Sequence, residues 1–152
     1  KAYEAARLVE LGCREVDMVL NIGALLEGAE RYVRDDIAAV VRAVDETSQG
    51  AGLVKVILET GYLEPEHIAA GSRLAVEAGA RFVKTSTGFG PRGASVEDVR
   101  IMRDAVGAGV GVKAAGGIRD LATALAMLEA GADRIGTSSG TEILDAFEER
   151  AT

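Results

Sequence analysis

Glu77-Ala78-Gly79-Ala80-Arg81-Phe82-Val83-Lys84-Thr85-Ser86-Thr87-Gly88 packs a helix stop, a short β-type run, a lysine and a hydroxyl-rich loop into twelve residues. Gly79 is where a helix would end, because a residue just past the last turn is often left-handed and glycine takes that backbone without penalty. Phe82 and Val83 suit a strand. Lys84 stands where a buried strand should carry another aliphatic residue. An unpaired ammonium there costs several kcal/mol, so Lys84 must be paired, reach solvent or do chemistry.

The helix stop recurs. Glu10-Leu11-Gly12-Cys13 and Glu129-Ala130-Gly131-Ala132 repeat the phrase, each between a helical pattern and a strand pattern. Apolar periodicity predicts helices over 1–11, 32–49, 65–78, 95–105 and 120–129, with a last one ending near 149. Segment 23–30 reads as a loop or a short helical turn. Pro65 suits a first helical turn, and Ser95 with Asp98 resembles a capping box. Strands are expected over 14–21, 53–59, 81–85, 110–114 and 134–136. Strands alternating with helices of this length mean βαβ units and a parallel sheet, with strands apolar because both faces are covered. The fold class is therefore α/β, of the (β/α)8 TIM-barrel type. A closed barrel has eight strands in about 250 residues, so five strands in residues 1–152 read as one partial barrel domain, its last five β/α units. A chain opening on Lys1 in mid-helix points the same way. Barrel active sites lie at the C-terminal ends of the strands, and Asp17, Glu59, Lys84, Lys113 and Gly136 fall at or near those ends.

Composition narrows the function. Of the 152 residues 48% are apolar and 27% charged, which reads as soluble and globular. A net charge of −7 argues against nucleic acid, while a small phosphorylated substrate needs only local positive potential. No apolar run approaches the roughly 20 residues of a membrane span, and no signal peptide opens the chain. The single cysteine, Cys13, permits no internal disulfide and suits a reducing cytoplasm; a place just before a strand predicts a buried, inert thiol. His67, without metal-ligand company, is expected at the surface, which leaves no histidine triad or zinc site. No metal or cofactor is implied.

The chemistry centres on two lysines. Neighbouring parallel strands lie about 4.8 Å apart, so inward side chains from consecutive strands bring Lys84 and Lys113 within roughly 5 Å. At an effective dielectric of about 20 two ammonium groups there repel by about 3 kcal/mol. Two pKa units are about 2.7 kcal/mol, so one lysine can fall from about 10.4 toward 8 and form a Schiff base with a carbonyl. Asp17 interrupts an apolar strand; beside two lysines it would stay ionised and relay protons. On the residues alone, both lysines could instead pair with Glu59 or Asp17, and Asp17 with Lys55. Gly116-Gly117-Ile118-Arg119 and Gly136-Thr137-Ser138-Ser139 follow the last two strands and precede helices, the common phosphate site of barrels.

At these residues the sequence resembles the deoxyribose-phosphate aldolases, class I aldolases that join acetaldehyde to glyceraldehyde 3-phosphate. The resemblance runs from Glu15-Val16-Asp17-Met18-Val19 and Lys55-Val56-Ile57-Leu58-Glu59-Thr60 through Phe82-Val83-Lys84-Thr85-Ser86-Thr87-Gly88 and Val112-Lys113-Ala114-Ala115-Gly116-Gly117-Ile118-Arg119 to Arg134-Ile135-Gly136-Thr137-Ser138-Ser139. It implies a lyase acting through an imine on Lys84, with Lys113 lowering its pKa and Asp17 in the proton relay. It places Gly88, Gly116, Gly117, Arg119, Gly136, Ser138 and Ser139 around the substrate phosphate. Phe89 departs from members that carry a lysine there, and the family's first three strands have no counterpart in 1–152. Open sheet edges would favour oligomerisation or loss of activity. The rival readings are another phosphate-binding barrel enzyme and an inactive barrel fragment.

Overall fold

In a computed structural model, which describes residues 1–151, five parallel strands stand in the order β1-β2-β3-β4-β5, the order in which the chain makes them. They are β1 (Glu15–Val19), β2 (Leu53–Ile57), β3 (Phe82–Lys84), β4 (Gly111–Ala115) and β5 (Arg134–Gly136). The helices are α1 (Ala2–Glu10), α2 (Ile22–Leu26), α3 (Glu30–Ser48), α4 (Pro65–Glu77), α5 (Val96–Val106), α6 (Leu121–Glu129) and α7 (Gly140–Ala151). Each expected strand is present: β1, β2 and β3 are shortened by at most two residues at an end, β4 is displaced by one residue, and β5 has the expected bounds. Two 3-10 turns, Thr60–Tyr62 and Gly107–Gly109, join the expected elements. Among the described residues no helix is long and apolar enough to cross a membrane.

The recurring glycine phrase has a single structural meaning. Gly12, Gly79 and Gly131 have φ of 105°, 88° and 110°. In each case the glycine N–H and the next N–H close two nested bonds onto the preceding helix: Gly79 to the Val76 carbonyl at 2.9 Å and Ala80 to that of Ala75 at 3.0 Å. These bonds satisfy the last helical carbonyls and turn the chain into the next strand. The other caps are local as well. Ser95 Oγ accepts the Asp98 N–H, and Pro65 opens α4.

Packing decides where the apolar residues go. In α3, Val33, Ile37, Val40 and Val44 are at most 1% exposed. β-Branched residues lose up to about 0.7 kcal/mol each in helical propensity, but burying such a side chain returns about 1.5–3 kcal/mol, so the helix forms. Val16 and Met18, Val54 and Val56, Val83, Val112 and Ala114 meet these helical residues in one core.

The alternate strand positions break with expectation. Glu15, Asp17, Lys55, Lys84, Lys113 and Arg134 occupy the other face, where they form a band of charge beside the apolar Leu53, Ile57, Phe82 and Ala115. The sheet curls around this face until side chains from its two edge strands meet: Arg134 Nη1 on β5 lies 2.6 Å from Glu15 Oε2 on β1. Arg134 also caps the Phe82 ring, 4.8 Å from its centroid. The helices cover one face, as in successive units of a TIM barrel, and the concave face holds the ionic groups.

Two expectations fail. Cys13 is exposed, not buried, because it lies in the turn from α1, two residues before pairing starts. His67 is half-buried rather than superficial, with Nδ1 buried and without a partner among the described residues; the first turn of α4 lies against the body.

Candidate active site

The strand ladder sets the lysines in place. Lys84 and Lys113 are direct partners in the β3–β4 register, and Asp17 and Lys55 in the β1–β2 register. Odd positions of β1 face the same side as these lysines, so one carboxylate reaches three amines. Asp17 Oδ1 accepts from Lys55 Nζ at 2.8 Å, and Oδ2 accepts from Lys84 Nζ at 2.8 Å. Lys113 Nζ lies 3.8 Å from the same Oδ2. The two readings left open for Asp17, a structural pair with Lys55 and a link to the lysine pair, both hold. Glu59, the other partner considered for the lysines, bonds Thr87 instead.

Lys55 is the residue that sequence reasoning left out of the site. Its side chain is 4% exposed and held between Asp17 and Glu15, each at 2.8 Å. A lysine inside an otherwise β-branched strand was the available signal. Glu15 in turn pairs with Arg134, so two carboxylates face four basic groups: Lys55, Lys84, Lys113 and Arg134. This local positive balance sits in a chain of net charge −7.

The electrostatics follow from that count. Burial pushes the Asp17 carboxyl up, but hydrogen bonds from Lys55 and Lys84 outweigh it and hold the group below the usual carboxylate range. Lys113 is left without a close carboxylate of its own. Burial first, and then the neighbouring Lys84 charge, push its ammonium below the ordinary lysine range, with Asp17 only partly opposing them. The depressed amine is thus Lys113, while Lys84 holds the hydrogen bond to Asp17.

Room for these groups is made by small residues. A Cβ at Gly136 would lie 2.9 Å from Ala115 Cβ and 3.1 Å from Lys113 Cε, so the glycine lets the Lys113 stem pass. Lys84 and Lys113 open into a cleft of about 500 Å³ bordered by Gly88, Phe89, the 116–119 turn and Gly136 to Ser138. Gly88, Gly116, Gly117, Arg119, Gly136 and Ser138 therefore share one space. Ser139 stands behind that lining, its N–H donating to Thr137 Oγ1 at 2.9 Å. The Thr137 hydroxyl donates to the Ile118 carbonyl at 2.6 Å, which ties the two glycine-rich turns together.

The hydroxyls after Lys84 divide between scaffold and loop. Thr85 Oγ1 exchanges both bonds with the Ala115 backbone, at 2.9 and 3.0 Å, and locks β3 to β4. Ser86 is fully buried and its Oγ has no partner among the described residues. The chain then runs out to Gly93 and returns to the 116–117 turn, where the Ala94 N–H donates to the Gly116 carbonyl at 3.0 Å. A Cβ at Gly93 would fall 2.1 Å from that carbonyl oxygen. Gly93→Ala must therefore push two backbones apart. It should cost about 1–3 kcal/mol in chemical denaturation and make the loop more susceptible to trypsin at Arg92.

Residues 1–146 match the profile of the DeoC/LacD family aldolases. The deoxyribose-phosphate aldolase of Thermococcus kodakarensis is 58% identical over 145 residues, 95% of this chain and 63% of that one. Among solved structures, an aldolase described as QR15 superposes with a TM-score of 0.88 at 43% identity, covering 99% of this chain and 66% of its own. A tetrameric deoxyribose phosphate aldolase from Aeropyrum pernix gives 0.85 at 32% identity, covering 99% and 62%. The chain spans about 63% of the length of the curated relatives it matches.

Proposed function

The chain belongs to the DeoC/LacD family of aldolases, and we propose that it carries the active centre of a deoxyribose-phosphate aldolase of the Schiff-base class. The reaction is the reversible cleavage of 2-deoxy-D-ribose 5-phosphate to acetaldehyde and glyceraldehyde 3-phosphate. The observation that supports it most is a single carboxylate, Asp17, bonded to Lys84 and 3.8 Å from Lys113 at the mouth of a glycine-lined cleft.

In this reading the neutral amine of Lys84 attacks the open-chain sugar aldehyde. Loss of water from the carbinolamine leaves a protonated imine. The C3 hydroxyl then gives up its proton, the C2–C3 bond breaks, and its electron pair enters the enamine as glyceraldehyde 3-phosphate departs. Protonation at C2 and hydrolysis release acetaldehyde and restore the amine. Lys113, left neutral because burial and the Lys84 charge disfavour its ammonium, is the amine available as general base to Lys84, and Asp17 Oδ2 lies between the two. Gly88, Gly116, Gly117, Arg119, Gly136, Ser138 and Ser139 form the phosphate end, through backbone N–H groups and the Arg119 charge.

A second reading comes from one observation: the depressed amine is Lys113, so Lys113 could itself be the nucleophile. Incubation with acetaldehyde and borohydride, followed by intact-mass measurement and peptide mapping, separates the two. The expected result is one reduced two-carbon adduct, at Lys84. An adduct at Lys113 exchanges the roles, and an adduct confined to Lys1 or the N-terminal amine, outside the cleft, defeats both readings.

The pH dependence follows from Lys113. A lowered lysine pKa means that the neutral amine accumulates as pH rises through a value below the ordinary 10.4 or so. With neutral Lys113 as the base that Lys84 requires, adduct formation should reach half its maximum below that pH. Lys113→Leu should move the midpoint upward, because Lys84 then has no neutral neighbour to receive its proton. A midpoint that stays in place would exclude Lys113 from the proton path.

A further inference from the structure

Glu59 lies where β2 ends, 5% exposed, with a left-handed backbone of φ 57° and ψ 58°. Gln49 is the other non-glycine residue with positive φ among those described, and it merely closes α3. Strain of this kind persists only where the surroundings impose it, and a buried carboxylate needs partners. Among the described residues no lysine or arginine pairs with Glu59. Its partners are the Thr87 N–H, at 3.1 Å from Oε1 and 3.2 Å from Oε2, and the Thr87 hydroxyl.

Thr87 is three residues beyond Lys84, and its Oγ1 also accepts the Phe89 N–H at 3.1 Å. The N–H groups on both sides of Gly88 are thus consumed. That of Gly88 has no protein partner among the described residues, and it borders the cleft opposite the 116–117 turn. Gly90 passes over Glu59 so closely that a Cβ there would lie 2.9 Å from Oε1. Further along, Arg92 bonds the Thr60 carbonyl and Asp98, which anchors the far side of the loop.

We infer that Glu59 is a positioning residue for the anionic end of the substrate, holding loop 87–90 in the one shape that leaves the Gly88 N–H to a phosphate. The inference rests on the reading of this cleft as a phosphate site. Thr87 offers two donors, so it requires a partner that only accepts. A carboxylate provides that; an amide of the same shape replaces one acceptor by a donor. Glu59→Gln therefore disturbs the loop without emptying the site, and Thr87→Val removes the same contact from the other end.

The test is titration of the chain with inorganic phosphate, followed at the Gly88 and Gly117 amides in proton–nitrogen correlation spectra. In the unmodified chain both signals should shift. Glu59→Gln and Thr87→Val should each weaken binding by about tenfold or more, their combination no further than either alone, and Thr87→Ser should restore it to within about threefold. Peak dispersion in the same spectra reports folding of each variant. Phosphate binding by Glu59→Gln within twofold of the unmodified chain overturns the inference. So does an unmodified chain whose Gly88 amide ignores phosphate. The acetaldehyde adduct, measured in parallel, reports on the lysine chemistry alone, so loss of the adduct with phosphate binding intact counts against the aldolase reading and not against Glu59.

Discussion

Under the proposed mechanism, Lys84→Leu should form no borohydride-stable adduct at position 84 and should lower any turnover of 2-deoxy-D-ribose 5-phosphate by on the order of 10⁴-fold or more, as loss of a covalent nucleophile does in other enzymes. The fold should survive, since Leu fits the mostly enclosed stem of a side chain that is 13% exposed and the register of β3 does not depend on its tip. What changes is the ion balance. Asp17 Oδ2 loses its partner at 2.8 Å and becomes available to Lys113. Lys113 also loses the repulsion of the Lys84 charge, so its ammonium becomes harder to deprotonate. Any adduct that moved to Lys113 in the variant should therefore need higher pH. Wild-type turnover in Lys84→Leu would remove Lys84 from the mechanism, and a Lys113 adduct formed at the wild-type pH midpoint would exchange the two roles.

Asp17→Asn should have the second largest effect, on stability and chemistry together. Lys55 is 4% exposed, and its ammonium would keep only Glu15 as a counter-ion. Removing one partner of a buried pair costs about 3–5 kcal/mol; with 29% of the Asp17 side chain open to solvent, roughly 2–3 kcal/mol is expected in denaturant unfolding at neutral pH. The pH dependence has a definite sign. The folded carboxyl lies below its ordinary value of 3.8, so its contribution is complete above that value and is lost as pH falls through the lower, folded one. The stability difference between wild type and Asp17→Asn should therefore be constant near neutrality and close under strongly acidic conditions. Loss of the proton path should separately lower turnover by about 10²–10⁴-fold. A variant as stable as wild type would mean that Lys55 is held by Glu15 alone. One that kept full turnover would mean that Lys84 and Lys113 exchange protons through solvent.

Much of the fold and part of the site can be read from local chemistry, because short-range rules decide them. A glycine after each of three helices needs only its own φ to stop the helix and aim the next strand. Ser95 and Pro65 act within one turn, and five apolar runs between helices leave a parallel sheet as the economical arrangement. Lys84 and Lys113 are conspicuous because a charge in a β-branched strand demands a reason. Other features depend on residues far apart in the chain. Only the curl of the sheet, across which Glu15 and Arg134 meet over 119 residues of sequence, turns the charged positions of the strands toward one another. Only that curl carries Asp17 to three amines at once and leaves Lys113 as the one without its own counter-ion. Cys13 is exposed and His67 half-buried, each against expectation, because what packs on a turn or a helix start, not the residue type, sets its burial. Glu59 shows the limit most clearly: its type suggested a partner for lysine, whereas its strained backbone and its bond to Thr87 exist only because the loop after β3 folds back over the end of β2.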